Sequence, residues 1–117
     1  MAYALLIVET PGNREVRSEA QGRDRYERMV RFSQDLKDRG LLTVSQSLTS
    51  DRNGARVRVQ SGETSVVDGP FSEAKEMIGG FFLLTCDSRD QAIAIARECP
   101  AAVWATVEVR ELGPCVA

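Results

Sequence analysis

No histidine occurs anywhere in the 117 residues. That absence excludes Ser-His-Asp and Cys-His nucleophile pairs, and it removes every imidazole metal ligand. Cysteine is scarce too. Cys86, Cys99 and Cys115 are odd in number and widely spaced, which predicts reduced thiols rather than a disulfide framework and fits no zinc pattern. Cys86 and Cys99 are expected as small core residues, with Cys115 in a loose tail. The phosphate cradles GxxxxGK[ST] and GxGxxG are missing. There is no basic excess, with 15 Lys and Arg against 17 Asp and Glu, so no phosphate-tracking surface and no direct nucleic-acid binding are expected. The Arg-rich stretch from Arg23 to Arg31 is offset by Asp24 and Glu27 and reads as a solvated helix face. The apolar opening MAYALLIVET is too short to span a bilayer and lacks the charged lead and cleavage site of a signal peptide. The expectation is a cytoplasmic protein that neither enters a membrane nor carries a metal or cofactor.

What is present is ordinary globular composition, 43% hydrophobic and 27% charged, in a length that suits one domain over residues 1–117. Tyr3 to Val8 is nearly all apolar and predicts a central strand buried on both faces. Residues 10–21 are polar, punctuated by Pro11, Gly12 and Gly22, and read as a loop. From Arg23 to Arg39 the period becomes helical, with Tyr26, Met29, Val30, Ser33, Leu36 and Lys37 on one face, Phe32 at its margin and Gly40 as the cap. LLTVSQSL returns as a strand. Asn53-Gly54 signals a hairpin, Ala55 to Gln60 alternates, and Ser61-Gly62 turns into Thr64 to Val67, so residues 41–67 read as a three-stranded meander. Phe81 to Cys86 is a further strand, with Gly79-Gly80 as the turn into it. Ser88 and Gln91 form a capping box for a helix that Pro100 stops, and Ala102 to Val109 is the last strand. The order β-α-β, hairpin, β-α-β predicts an α+β, ferredoxin-like split βαβ sandwich with a β-hairpin insertion. Both helices then cover one sheet face, and the other calls for a homodimer packed through it.

The segment DGPFSEAKE concentrates the remaining chemistry. On a structural reading, Asp68 accepts N–H bonds from the turn that Gly69-Pro70 makes, while Ser72 caps a short helical turn over Glu73 to Met77 whose positive end Glu73 complements. On a functional reading, Glu73 and Glu76 point at one spot from that turn, and a desolvated Asp68 or Glu73 serves as a general base. Lys75 points elsewhere on the turn. Arg56 and Arg58 share a strand face, where they hold an anionic ligand or simply keep an outer strand soluble. Tyr3, Tyr26 and Trp104 read as core or interface anchors, or as stacking surfaces for a ligand. Asp38 opposes the dipole at the end of the first helix and is a further catalytic candidate.

The stretches DGPFSEAKEMIGGFFLL, RVRVQSGETSVV, ARECP and VEVRELGP together resemble the DGPF-domain branch of the YCII-related family, over nearly the whole chain. The resemblance implies a ferredoxin-like fold and a dimer assembled as an α/β barrel. For the wider family it implies a proposed His–Asp pair near the first helix, in a cleft resembling those of small lyases and isomerases. Asp38 in DRGLL stands at what looks like the acid's position, but the helix carries no histidine, so that dyad chemistry does not transfer. The resemblance also implies a link to extracytoplasmic-function sigma factors and transcriptional regulation. Two functions follow as expectations. One is a dimeric small-molecule binding domain with its cleft at DGPFSEAKE, using Asp68, Glu73, Lys75, Glu76, Arg56 and Arg58. The other is a regulatory or protein-association module.

Overall fold

A computed structural model of the chain describes residues 1–116. Strand β1 (Ala2–Glu9) is central and carries apolar side chains on both faces, as the sequence predicts. Tyr3, Leu5 and Ile7 face the helices and join the core, while Ala4, Leu6 and Val8 fall on the opposite face. A short helix α1 (Asn13–Val16) follows within the expected loop, and then helix α2 (Glu19–Asp38). The helix begins four residues before Arg23 because Ser18 caps it. The Ser18 hydroxyl accepts from the Gln21 N–H at 3.1 Å, and the Gln21 side-chain oxygen accepts from the Ser18 N–H at 3.0 Å. That reciprocal pair outweighs Gly22, which the helix simply absorbs. At the other end Gly40 adopts φ 72°. Its N–H donates to Lys37 O at 3.0 Å, and the Leu41 N–H donates to Leu36 O at 2.9 Å, which closes the helix as expected.

Strand β2 (Leu42–Ser47) leaves this cap and pairs with the distant strand β5 (Met77–Thr85), not with its sequence neighbour. The expected meander therefore divides. Asp51–Asn53 forms a 3-10 turn in which the Ser50 hydroxyl accepts from the Arg52 N–H, and Gly54 has φ −95°, so Asn53-Gly54 is not a left-handed hairpin turn. Strands β3 (Ala55–Gln60) and β4 (Glu63–Asp68) pair only with each other, joined through Ser61 and Gly62, both at positive φ. Pairing with β5 buries apolar surface for Leu42 and Val44, a gain unavailable from β3, whose alternate residues are arginines.

Helix α3 (Arg89–Glu98) starts at Ser88, whose hydroxyl accepts from the Gln91 N–H at 3.1 Å; the Gln91 side chain accepts from the Asp87 N–H rather than from Ser88 itself. Pro100 ends the helix as predicted, but it opens a 3-10 turn over Pro100–Val103. Strand β6 (Thr106–Glu111) consequently starts later than Ala102.

The order in the four-stranded sheet is β2-β5-β1-β6, antiparallel throughout, with helices α2 and α3 on one face. This is α+β architecture compatible with the ferredoxin-like fold, carrying the β3–β4 ribbon as an insertion. Phe32 and Leu36 of α2 are buried, and the Phe32 ring meets Phe82 edge-on at 5.3 Å. The buried stripe of α2 thus centres on Phe32 and Leu36, while Tyr26 and Val30, expected on it, are exposed. Cys86 and Cys99 are buried and Cys115 is exposed, as expected.

Among the described residues, the outer sheet face and the ribbon are left without cover. The outer sheet face carries Leu6, Phe81, Leu83, Val44 and Ile78, partly buried or exposed, with Glu108 and Arg110 along one margin. All twelve residues of the ribbon strands are exposed. The radius of gyration is 16.0 Å, against about 13 Å for a compact chain of this size.

Candidate functional site

A cleft lies between α2, edge strand β2 and the start of β5, with a volume of about 770 Å³. Its floor is apolar, supplied by Ile7, Phe82, Leu42 and Met29. Between helix and strand, the Ser33 and Ser45 hydroxyls are 2.7 Å apart and share a hydrogen bond. Tyr26 and Val30, expected in the core stripe, instead overhang this space.

One end of the cleft is a fixed ion pair. Arg14 Nε meets Glu9 Oε1 at 2.6 Å, with only 23% and 13% of the two side chains exposed. Arg14 also donates to Leu48 O at 2.7 Å and Gly79 O at 3.2 Å, tying α1 to the end of β2 and to β5. Between Ile7 and Val8 the β1–β5 register shifts, so that Ile7 opposes Gly80 and Val8 opposes Ile78. Gly79 is the extra residue of a bulge. A Cβ at Gly79 would collide with the Glu9 carboxylate, and one at Gly80 would approach Gln46 O. The two glycines therefore belong inside β5, where the pair and edge strand lie against the backbone. They are not the turn expected before Phe81.

The remaining charged side chains of the lining are Arg17, Arg25 and Lys37. With Arg14 that makes four cations against the single carboxylate of Glu9, in a chain whose net charge is −2. The Arg25 guanidinium stands 4.9 Å from the centre of the Trp104 ring, at the cleft's rim. The cleft thus sets positively charged groups around an apolar floor, a pairing complementary in charge and polarity to an organic anion. Among the described residues, no group of three acidic or cysteine side chains is arranged to hold a metal ion.

The DGPFSEAKE corner lies elsewhere, at the base of the ribbon. The expected helical turn over Glu73 to Met77 is absent. The Ala74 N–H instead donates to Phe71 O at 3.0 Å, and Met77 already opens β5 opposite Glu9. The Asp68 carboxylate accepts no turn hydrogen bond. The acid that does is Asp51, whose Oδ2 accepts from the Phe71 N–H at 3.4 Å. The Gly69 N–H donates to Gly54 O at 2.8 Å, and the Gly69-Pro70 bond that follows is cis. A Cβ on Gly69 would overlap Asp51 O. Arg56 lies over the Phe71 ring at 4.0 Å.

A second cavity of about 560 Å³ opens at this corner. Of the expected ligand-binding residues it includes Arg56 and Glu76, whereas Asp68, Glu73, Lys75 and Arg58 are exposed outside its lining. Asp38 is apart from both cavities, at the exposed end of α2, accepting from Gln34 Nε2 at 2.9 Å. Asp51 and Phe71 were not among the expected site residues, nor were Glu9, Arg14, Arg17 and Arg25. The missed signal was the acid-to-arginine spacing of Glu9 and Arg14 across Pro11-Gly12, a turn that folds one back on the other.

On the other side of α2, Arg39 joins the two long helices by bonding Glu98 at 2.9 Å and Asp35 at 3.1 Å, and those bonds raise its pKa. Tyr3 is buried with its hydroxyl 3.3 Å from Glu111, and burial followed by that carboxylate pushes its pKa up. Burial likewise raises the Cys99 thiol.

An antiparallel sheet covered on one face by two helices, with a cleft under the longer one and an inserted ribbon, defines a small α+β domain of the split-βαβ kind. The chain belongs to the YCII-related family: the model of the YCII-related domain matches residues 1–115. It is also similar to an uncharacterized protein of Rhizobium meliloti (strain 1021), 35% identical over 102 residues, which span 84% of this chain and 79% of that protein. Membership of the YCII-related family, noted as a resemblance in the sequence, is thereby established.

Proposed function

We propose that the chain is a single YCII-related domain of the DGPF branch, a cytoplasmic homodimer joined through its outer sheet face in a dimeric α/β barrel, and that it binds a small organic anion in the cleft beneath α2. The observation that carries the reading is the set of Arg14, Arg17, Arg25 and Lys37 around an apolar floor, in a cavity of about 770 Å³. That size lies within the roughly 300–1,000 Å³ usual for small-molecule sites. The ligand class is a carboxylate or similar anion on an aromatic or branched aliphatic body. The helix carries no histidine, and no reaction is assigned to the cleft.

The test is a thermal-shift screen with matched pairs, each an aryl or branched-chain carboxylate beside its neutral amide. An acid at about a hundred times its dissociation constant adds roughly 2.7 kcal/mol, or about 10 °C in a domain of this size. The double variant R17Q/R25Q should lose the shift without a change in its own melting point. Equal shifts from acid and amide, or shifts that survive in the variant, would sink the anion reading.

A second reading is favoured by the corner. Asp68, Glu73, Lys75 and Glu76 are exposed there and take part in none of the ion pairs among the described residues. Such a surface suits a regulatory or protein-association module linked to sigma-factor-dependent transcription. Co-elution with a purified extracytoplasmic-function sigma factor, weakened in E73K, would support it; independent elution would count against it.

A further inference from the structure

We infer that the β3–β4 ribbon is an arm that packs onto a second copy of this chain, so that the dimer interface comprises the outer sheet face and the ribbon together. The inference rests on the homodimer reading above and goes beyond it. A two-stranded ribbon is marginal by itself in water and needs something to pack on. Here Val57, Val59 and Val66 are 63%, 66% and 62% exposed. Val57 pairs directly with Val66, which puts these side chains together on one ribbon face.

The arm is set at its base. The Gly69–Gly54 and Phe71–Asp51 hydrogen bonds clamp both strands to the 3-10 turn, and the Arg56 guanidinium over Phe71 adds a third tie. Its direction is set as well. The molecule measures 46 × 42 × 19 Å. A four-stranded sheet is only about 19 Å wide, so the ribbon extends the slab sideways instead of folding over it. The corner cavity joins residues of the ribbon base, Arg56 and Phe71, to Val8, Ile78 and Glu108 at one end of the outer face. A copy stacked on that face therefore meets the overhanging ribbon, and the corner cavity falls in the seam between the two chains.

Area favours the second copy as occupant. Strands of six to nine residues give the sheet face a footprint of about 400–550 Å². A stable interface needs about 800 Å² from each partner. The ribbon adds about 200 Å² and brings the total near that requirement.

Sedimentation equilibrium across a wide concentration range tests this, comparing the native chain, the ribbon variant V57D/V59D and the sheet-face variant L83D. Urea melts and amide exchange of core strand β1 check that each variant keeps its fold. The expected result is a native dimer, a dimer weakened about tenfold or more in V57D/V59D, and a monomer in L83D. A native dimer that is equally tight in V57D/V59D overturns the arm and leaves the homodimer standing. A native chain that stays monomeric at every concentration overturns both. A ribbon occupied by a different protein or by a lipid surface falls under the same two results, because the native self-association would then not depend on the valines.

Discussion

Gly69 and Asp51 govern the corner at the level of single residues. Because the Asp51 carbonyl occupies the place of a Gly69 side chain, G69A forces the turn and the strand end apart. A cost of about 1–3 kcal/mol follows, as for overpacked sites generally, read as a fall in the urea midpoint. D68A should change stability by less than about 0.5 kcal/mol, since its carboxylate is exposed and unbonded. A large loss in D68A and none in G69A would invert this assignment. The sequence made the corner visible but named the wrong acid, because Asp51 reaches Phe71 from twenty residues away and local spacing carries no sign of that.

Tyr3 and Cys99 make a prediction of the opposite kind, in solvent conditions. Burial raises both groups above their ordinary values of 10.0 and 9.0. The folded state then holds these protons more tightly than the unfolded one. Their contribution is complete below about pH 9 and is lost as pH rises through the raised values. Melting temperature should fall from about pH 9 upward, and Y3F should flatten the part of that fall above about pH 10. A variant profile identical to the native one would remove Tyr3 from the account.

At the scale of elements, helix α2 depends on a cap that the sequence displays. S18A removes the hydroxyl that accepts from Gln21 and should cost about 1 kcal/mol, detectable as a lower thermal midpoint with added fraying of the first turn in amide exchange. An unchanged midpoint would mean that the helix is held by packing alone. Elements bounded by caps or prolines were legible: Gly40 closes α2, Ser88 opens α3, and Ser61-Gly62 turns the ribbon. Where two local rules competed, the reading missed. Ser18 with Gln21 outweighed Gly22, and the Ser50-capped turn outweighed Asn53-Gly54. The pairing of β2 with β5 reflects burial gained across more than thirty residues of chain, which no window of sequence contains.

For the whole molecule, the legible part is architecture: two helices, a mostly antiparallel sheet and a bare outer face. The cleft was not legible, because Arg14 of α1, Arg17 before the cap, and Arg25 and Lys37 of α2 meet around one space only when the helices pack against the β2–β5 edge. Its charge makes a prediction at this scale. Raising ionic strength from about 0.1 M to 1 M shortens the screening length from about 10 Å to 3 Å. Affinity for an organic anion, measured by calorimetry, should fall several-fold over that range, while the ribbon's apolar contacts should hold or tighten. Anion affinity indifferent to salt would argue against a cationic site.

Trp104 is the sole tryptophan of the chain, and it sits at the rim of that cleft with the Arg25 guanidinium beside its ring. All indole emission therefore originates at one place. A molecule entering the cleft displaces water and shifts the guanidinium near the ring, which changes the colour or intensity of that light. A chain docking on the outer sheet face, across the layer from the indole, leaves the spectrum nearly as it was. Trp104 is thus a built-in optical probe that would separate the proposed ligand occupancy from the proposed self-association in a single unlabelled titration.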